Sequence, residues 1–493
     1  MIERVWRWRA ALMVALVGTV AAVLRFAALQ YPPVLVFDEV YYARGAYSLL
    51  ALGYEGDWGK DEGTFAEGDY SRLSTQGDYV VHPMVGKLLI ALGMKVAGVT
   101  PFGWRCAAAV FGTLTVIVVA LLARSMLRST LWGGFAGLLL AVDGQAIVLS
   151  RTALLDVFLG FFVTLGLALL WLDRMRLRRR LAAAPDVGEA SRAPRIGPRW
   201  WRWAALVAFG LAAGTKWSGL YFAAAFLVMS VAWEAIDRRA AGRRHWLRET
   251  ALRSAVPGAV ASAVVIPAVY LATWANWFLT DGSYYRTWAA THPEKRIAWM
   301  PEALQSLVEY HRAMLSFHSS LTSEHPYESH PNSWLVQFRP TAFHFQDVVT
   351  DCGAERCVSA ITALGNVAIW WAGVAALCWA VWRLVIKRDP MGLWMSVGVL
   401  AGWLPWVPFA HRPIFAFYSV AFAPFVVLLV AWAAARLAQP PELGGRFDRQ
   451  GVRTVGWYVV IVLVVAAFFL PLWTGVPTPY DYWRIHMWLY SWG

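Results

Sequence analysis

Two adjacent carboxylates, Asp38 and Glu39, stand among aromatics in Phe37-Asp38-Glu39-Val40-Tyr41-Tyr42, directly after the first long apolar run. Carboxylates beside a bilayer are costly unless they pair, bind or catalyse, so this dipeptide is the first candidate for a working centre. Further along the chain come His82, Lys87, Arg105, Arg151, Asp156, Lys216, Arg339, His411 and Arg412. An acid facing a pool of cations suits a reaction in which a hydroxyl loses its proton and an anionic leaving group departs, the cations receiving phosphate charge. That chemistry needs no metal or other cofactor, and these residues contain no carboxylate cluster of the kind a metal would need.

Whether these groups meet depends on the elements that carry them. Of 493 residues, 59% are hydrophobic and 15% charged, and 30 are Trp, a composition that excludes an ordinary soluble domain. Apolar stretches of about 18–25 residues recur along the chain, the length of membrane-spanning helices and too long for barrel strands. The net charge of +13 does not point to nucleic acid, because the arginines cluster in particular loops. Nine lie between 173 and 202 and six between 237 and 253, which the positive-inside rule places in the cytoplasm.

Threading spans between the basic loops gives an all-α polytopic membrane protein of eleven helices, with the N-terminus cytoplasmic and the C-terminus extracytoplasmic. The expected spans are 10–29, 104–123, 131–149, one from 154, two between 203 and 236, 255–279, 361–383, 391–409, one ending near 435, and 454–473. The first is expected to be a retained anchor. The first external loop, 30–103, has helical spacing at 40–52 and 84–96, predicting two amphipathic helices along the membrane surface. A long external loop, 280–360, is rich in His and aromatics and reads as structured; in it Cys352 and Cys357 suit a local disulfide. The whole chain, 1–493, reads as one membrane-embedded catalytic domain, with every candidate residue on its outer face. Plainer roles exist: Arg105 and Arg151 can snorkel from helix ends, Lys216 can anchor at an interface, and His82-Pro83 can start a helix.

Seven segments carry a resemblance: Phe37-Asp38-Glu39, His82-Pro83-Met84-Val85-Gly86-Lys87, Gly103-Trp104-Arg105, Leu154-Leu155-Asp156, Gly214-Thr215-Lys216-Trp217-Ser218-Gly219-Leu220, His325 to Pro340, and His411-Arg412-Pro413. In this order, over nearly the whole chain, they resemble the bacterial, actinobacterial-type protein O-mannosyltransferases. The resemblance implies a C-type glycosyltransferase fold in the bacterial plasma membrane. It also implies a polyprenyl-phosphate mannose donor, and Ser or Thr acceptors on exported polypeptides met during export. Asp38 would then be the general base and Glu39 would hold the acceptor. Arg105 and Arg25 match family arginines tied to activity, and Arg105, Lys216, Arg412, His82 and Lys87 become the candidates for the donor phosphate. Two departures stand out. Met84 replaces a second Pro of the His-Pro motif, and 280–360 leaves no room for the lectin-like domain of eukaryotic members. The alternatives are a transferase of aminoarabinose or arabinose to a lipid or glycan, and a flippase of lipid-linked sugar, which would favour ionisable groups at mid-membrane.

Overall fold

A computed structural model describes residues 2–59, 64–183, 197–348 and 352–493. Lys60, Arg192 and Arg195 lie outside the described residues. The helices are α1 (Ile2–Phe26), α2 (Glu39–Ala51), α3 (Val85–Ala97), α4 (Pro101–Met126), α5 (Thr130–Ala141), α6 (Gly144–Ser150), α7 (Asp156–Ala182), α8 (Trp200–Ala213) and α9 (Gly219–Ala240). Then come α10 (Trp246–Thr250), which runs through a π turn into α11 (Val256–Ala272), and two short helices, α12 (Ala275–Leu279) and α13 (Trp288–Thr291). Last are α14 (Glu302–Ser320), α15 (Val367–Lys387), α16 (Met391–Trp403), α17 (Ala423–Ala438) and α18 (Arg449–Thr474). Among the described residues, eight helical stretches are long and apolar enough to cross a membrane, and the pair α5–α6, bent by 63°, makes a ninth candidate. This is a multi-pass membrane protein.

Local sequence sets the helix starts. Thr100, Ser129, Asp143, Asn366 and Asp448 each accept a hydrogen bond from a backbone N–H in the first turn of the helix they open, satisfying donors that have no partner inside the helix. Asp143 does this at the α5–α6 bend. Its carboxylate also accepts from the Asn366 N–H and the Trp370 indole, so the same residue fixes where α15 begins. α2 and α3 pack on each other, and α3 packs on α4, which places the first loop against the bundle. α17 is buried along most of its length, against α5, α15, α16 and α18. α11 has no buried residue, as expected of a helix whose surroundings are lipid.

Among the described residues, the chain departs from an all-α architecture in a small sheet. Thr341–Val348 (β1) and Cys357–Ala363 (β2) form an antiparallel pair, and Thr478–Pro479 (β3) adds beside Cys357 and Val358. A disulfide joins Cys352 to Cys357 in the turn between β1 and β2. The expected span beginning at 361 therefore starts later, at Val367. The reason is that Val358, Ile361 and Thr362 extend the apolar run backwards with β-branched residues, and a short buried strand is then indistinguishable from helix by hydropathy. The basic loops are also not wholly solvated: Arg174 pairs with Asp237 at 2.8 Å, and Arg199 and Arg202 close on Asp173 and Glu234.

Candidate active site

The two acids of the first loop have opposite environments. Glu39 is fully buried. Its Oε1 accepts from Arg105 Nε and the Ala153 N–H, each at 2.8 Å, and its Oε2 from Arg105 Nη2 at 2.8 Å and the Val36 N–H at 3.0 Å. Arg105 completes the clamp by donating to the carbonyls of Leu29, Pro32 and Val34 at 3.3, 2.9 and 2.7 Å. All five N–H donors of the guanidinium are thus used, as are the four acceptor positions of the carboxylate. This corrects two assignments. Glu39 has no lone pair left to hold an acceptor, and Arg105 has no donor left for a phosphate; together they tie residues 29–39 to the head of α4.

Asp38, one residue earlier, is half-buried, and its carboxylate makes no hydrogen bond to any described residue. Burial pushes its pKa up to about 6, with Lys216 pulling down and Asp156 pushing up. Its position is held from the preceding residue. Phe37 adopts φ +49°, a conformation L residues avoid, and its ring lies flat on Phe343 at 4.6 Å, with Phe417 and Phe415 edge-on at 5.5 and 6.1 Å. The aromatic cage keeps this backbone turned where Asp38 follows.

Two cations from other elements stand near Asp38: Lys216 acts on it directly, and Arg412 shares Tyr418 as a neighbour with it. Lys216, in the turn between α8 and α9, donates to both Asp156 oxygens at 2.9 and 2.8 Å and sits 4.7 Å from the Tyr418 ring centroid. That pairing leaves Lys216 one N–H for any ligand, so its charge acts on Asp38 chiefly through the field. Arg412 is different. It gives one bond, Nη1 to the His318 carbonyl at 2.8 Å, and its buried Nε has no partner. His82 stacks on His318 at 5.3 Å. Burial, with Lys216, His318, Lys87 and Arg412 adding to it, holds His82 well below its ordinary pKa, so it stays neutral. His318 Nε2 donates to the Val81 carbonyl at 2.8 Å, which fixes its tautomer.

The remaining candidates are structural or marginal. Arg25 is buried and donates to Ser150 and to the carbonyls of Ala21, Leu140 and Ala141, closing the end of α5. Arg151 donates to the carbonyls of Leu24, Arg25, Ala27 and Ala28, closing the end of α1. Lys87, fully buried, pairs with Glu55 at 2.6 Å and donates to the His82 carbonyl at 2.9 Å, so it shapes the His82 loop and cannot meet a phosphate. Arg339 donates to the Pro326 carbonyl and His411 is exposed.

His318 and Tyr418 belong to the site and were not singled out from sequence. A signal for His318 existed: it lies seven residues after His311 on α14, hence on the same face. His311 accepts from the Tyr270 hydroxyl at 2.6 Å, which accepts from the Trp217 indole at 3.0 Å, so α14 locks the Lys216 turn in place.

Residues 94–274 match the family described as dolichyl-phosphate-mannose-protein mannosyltransferase, and residues 303–492 match the C-terminal four-span region of protein O-mannosyltransferase. A polyprenol-phosphate-mannose–protein mannosyltransferase of Mycolicibacterium smegmatis is 37% identical over 97% of this chain and 92% of its own length. The chain belongs to the protein O-mannosyltransferase family. Its fold is that of the S. cerevisiae protein O-mannosyltransferase Pmt1-Pmt2 complex bound to the sugar donor, with a TM-score of 0.74 at 14% identity over 98% of this chain and 92% of that one. Cupriavidus metallidurans ArnT bound to undecaprenyl phosphate has a TM-score of 0.52 at 18% identity, over 92% of this chain and 63% of its own. Both share the fold of this O-mannosyltransferase chain.

Proposed function

We propose that this protein transfers mannose from a polyprenyl-phosphate mannose to Ser or Thr hydroxyls of exported polypeptides. The observation that carries the reading is the similarity along 97% of the chain to a polyprenol-phosphate-mannose–protein mannosyltransferase. Asp38 takes the hydroxyl proton as the hydroxyl oxygen attacks the anomeric carbon. The bond from that carbon to the phosphate oxygen breaks, the lipid phosphate leaves, and the sugar inverts. Arg412, with unused donors, receives the phosphate, and neutral His82 and His318 line the site without adding charge.

The chain crosses the bacterial plasma membrane eleven times on this reading: the eight long helices, the α5–α6 pair, α8 and α17. That puts the N-terminus in the cytoplasm and the C-terminus and Asp38 outside. Synthetic polyprenyl-phosphate mannose mixed with a Ser/Thr-rich peptide should yield an O-mannoside of inverted anomer. Product only on a glycolipid acceptor would favour the aminoarabinose-type alternative, and lipid-linked mannose crossing vesicles without any O-mannoside would favour the flippase.

Two further outcomes follow from the geometry. With Arg412→Ala the KM for the donor should rise by about tenfold to a hundredfold, the value of about 1.5–3 kcal/mol for a charged hydrogen bond, while KM for the peptide holds; an unchanged donor KM would remove Arg412 from the phosphate site. The pH dependence has a definite sign. Asp38 must be ionised to accept a proton, and its pKa is about 6, so kcat/KM should be level above that value and fall about tenfold per pH unit below it. A profile flat down to pH 4.5 would exclude Asp38 as the titrating base.

A further inference from the structure

A second charged cleft lies at the far end of the bundle from Asp38. It opens between the ends of α4, α5, α16 and α17 as a space of about 650 Å³ continuous with solvent, and is lined by Arg128, Trp132, Trp432, Arg436, Met391 and Gln439, among others. Along α4, Met126 at the cleft is about 32 Å from Arg105 at the catalytic end, at about 1.5 Å per residue. That separation is the thickness of a hydrocarbon core, about 30 Å. The cleft therefore opens at the opposite membrane boundary.

Its charge is positive and incompletely neutralised. Arg436 is 3.3 Å from Asp389, but Arg383 bonds the same Asp389 oxygen at 3.1 Å, so one carboxylate serves two guanidiniums. Arg128 is exposed and has no partner among the described residues. Trp432 is buried and its indole N–H has no partner either. The rim is braced: the Trp132 indole donates to Gln439 at 2.8 Å, and Gln439 in turn donates to the Gly445 carbonyl at 3.4 Å. Met126, Leu127, Met391 and Ala435 supply an apolar wall beside the arginines.

We propose that this cleft binds one anionic phospholipid of the leaflet opposite Asp38, its phosphate between Arg128 and Arg436 and the top of its acyl chains against the apolar wall. Charge complementarity selects the occupant. A basic, Trp-lined cleft at the membrane boundary, with one unpaired guanidinium and a second that shares its carboxylate with Arg383, fits a lipid phosphate that arrives from within the bilayer. The proposal does not depend on which sugar the enzyme moves.

The test uses the full chain in mild detergent, with phosphatidylglycerol or phosphatidylcholine added and retained lipid counted by native mass spectrometry. One phosphatidylglycerol per chain should be retained in preference to phosphatidylcholine. Each arginine near a lipid surface contributes about a fivefold gain for anionic lipid. Arg128→Ala should therefore weaken retention about fivefold, and adding Arg436→Ala should weaken it about 25-fold in all. Arg128 is exposed, so the single variant keeps its fold and decides the matter if the double variant proves unstable. The idea fails if Arg128→Ala retains phosphatidylglycerol like the parent, if phosphatidylcholine is held equally, or if millimolar inorganic phosphate displaces the lipid, which would make the cleft a site for free phosphate.

Discussion

Asp38→Asn lowers mannosyl transfer by about 10²- to 10⁴-fold, the contribution of a positioned general base, while the protein stays folded and inserted. Stability distinguishes this loss from damage. Burial raises the Asp38 pKa to about 6, above the ordinary 3.8, so the folded state disfavours the ionised form. A raised carboxyl favours folding while it is protonated, below its unfolded value, and that advantage is gone once pH rises through about 6. At pH 7 the parent therefore carries an unfavourable charge that Asn removes, and the Tm of Asp38→Asn should not fall below that of the parent. The assay is peptide mannosylation by purified protein at pH 7 beside a thermal melt. Parental turnover by the variant would end the role of Asp38 as base, and a fall in Tm would reassign its loss of activity to folding.

Arg105→Ala gives the opposite pattern. It leaves Glu39 charged and buried, and three carbonyls lose their donor, so the expected cost is about 3–5 kcal/mol. Against a total stability of about 5–15 kcal/mol this is severe. Little folded protein should be recovered, and what is recovered should melt much earlier. Glu39→Gln removes the charge but keeps the shape, so it should destabilise less than Arg105→Ala. If Glu39→Gln were fully stable and only raised KM for the peptide, Glu39 would hold the acceptor after all, in a conformation different from this one. Adjacent positions should thus separate: substituting Asp38 takes away chemistry, and disrupting the Glu39 pair takes away structure.

The sequence made the long apolar helices legible because hydropathy is averaged over many residues. The helices of the first loop fall within a residue or two of their expected bounds, at Glu39–Ala51 and Val85–Ala97. What could not be read was pairing at long separation. Nothing near Glu39 reveals that its partner lies 66 residues away, or that Ala153 supplies a further donor. The apolar setting of Asp143 hid its place as the pivot of the α5–α6 bend. Lys87 and Lys216 look alike as isolated cations; only the structure shows one sealed against Glu55 and the other within reach of Asp38. The β1–β2 pair was hidden by the rule that found the helices, since seven buried residues of strand extend an apolar run as well as two turns of helix do.

The Arg105 clamp also separates what this protein can vary from what it cannot. One side chain on α4 gathers the 29–39 segment, so Asp38 takes its coordinates from the membrane bundle as well as from the Phe37 cage. The exposed turns of the first and the long loop that carry none of these contacts, such as 66–72 and 294–300, can then vary without displacing Asp38. The enzyme inherits a fixed reaction centre under a replaceable canopy, an arrangement in which new acceptor ranges can evolve without rebuilding the chemistry.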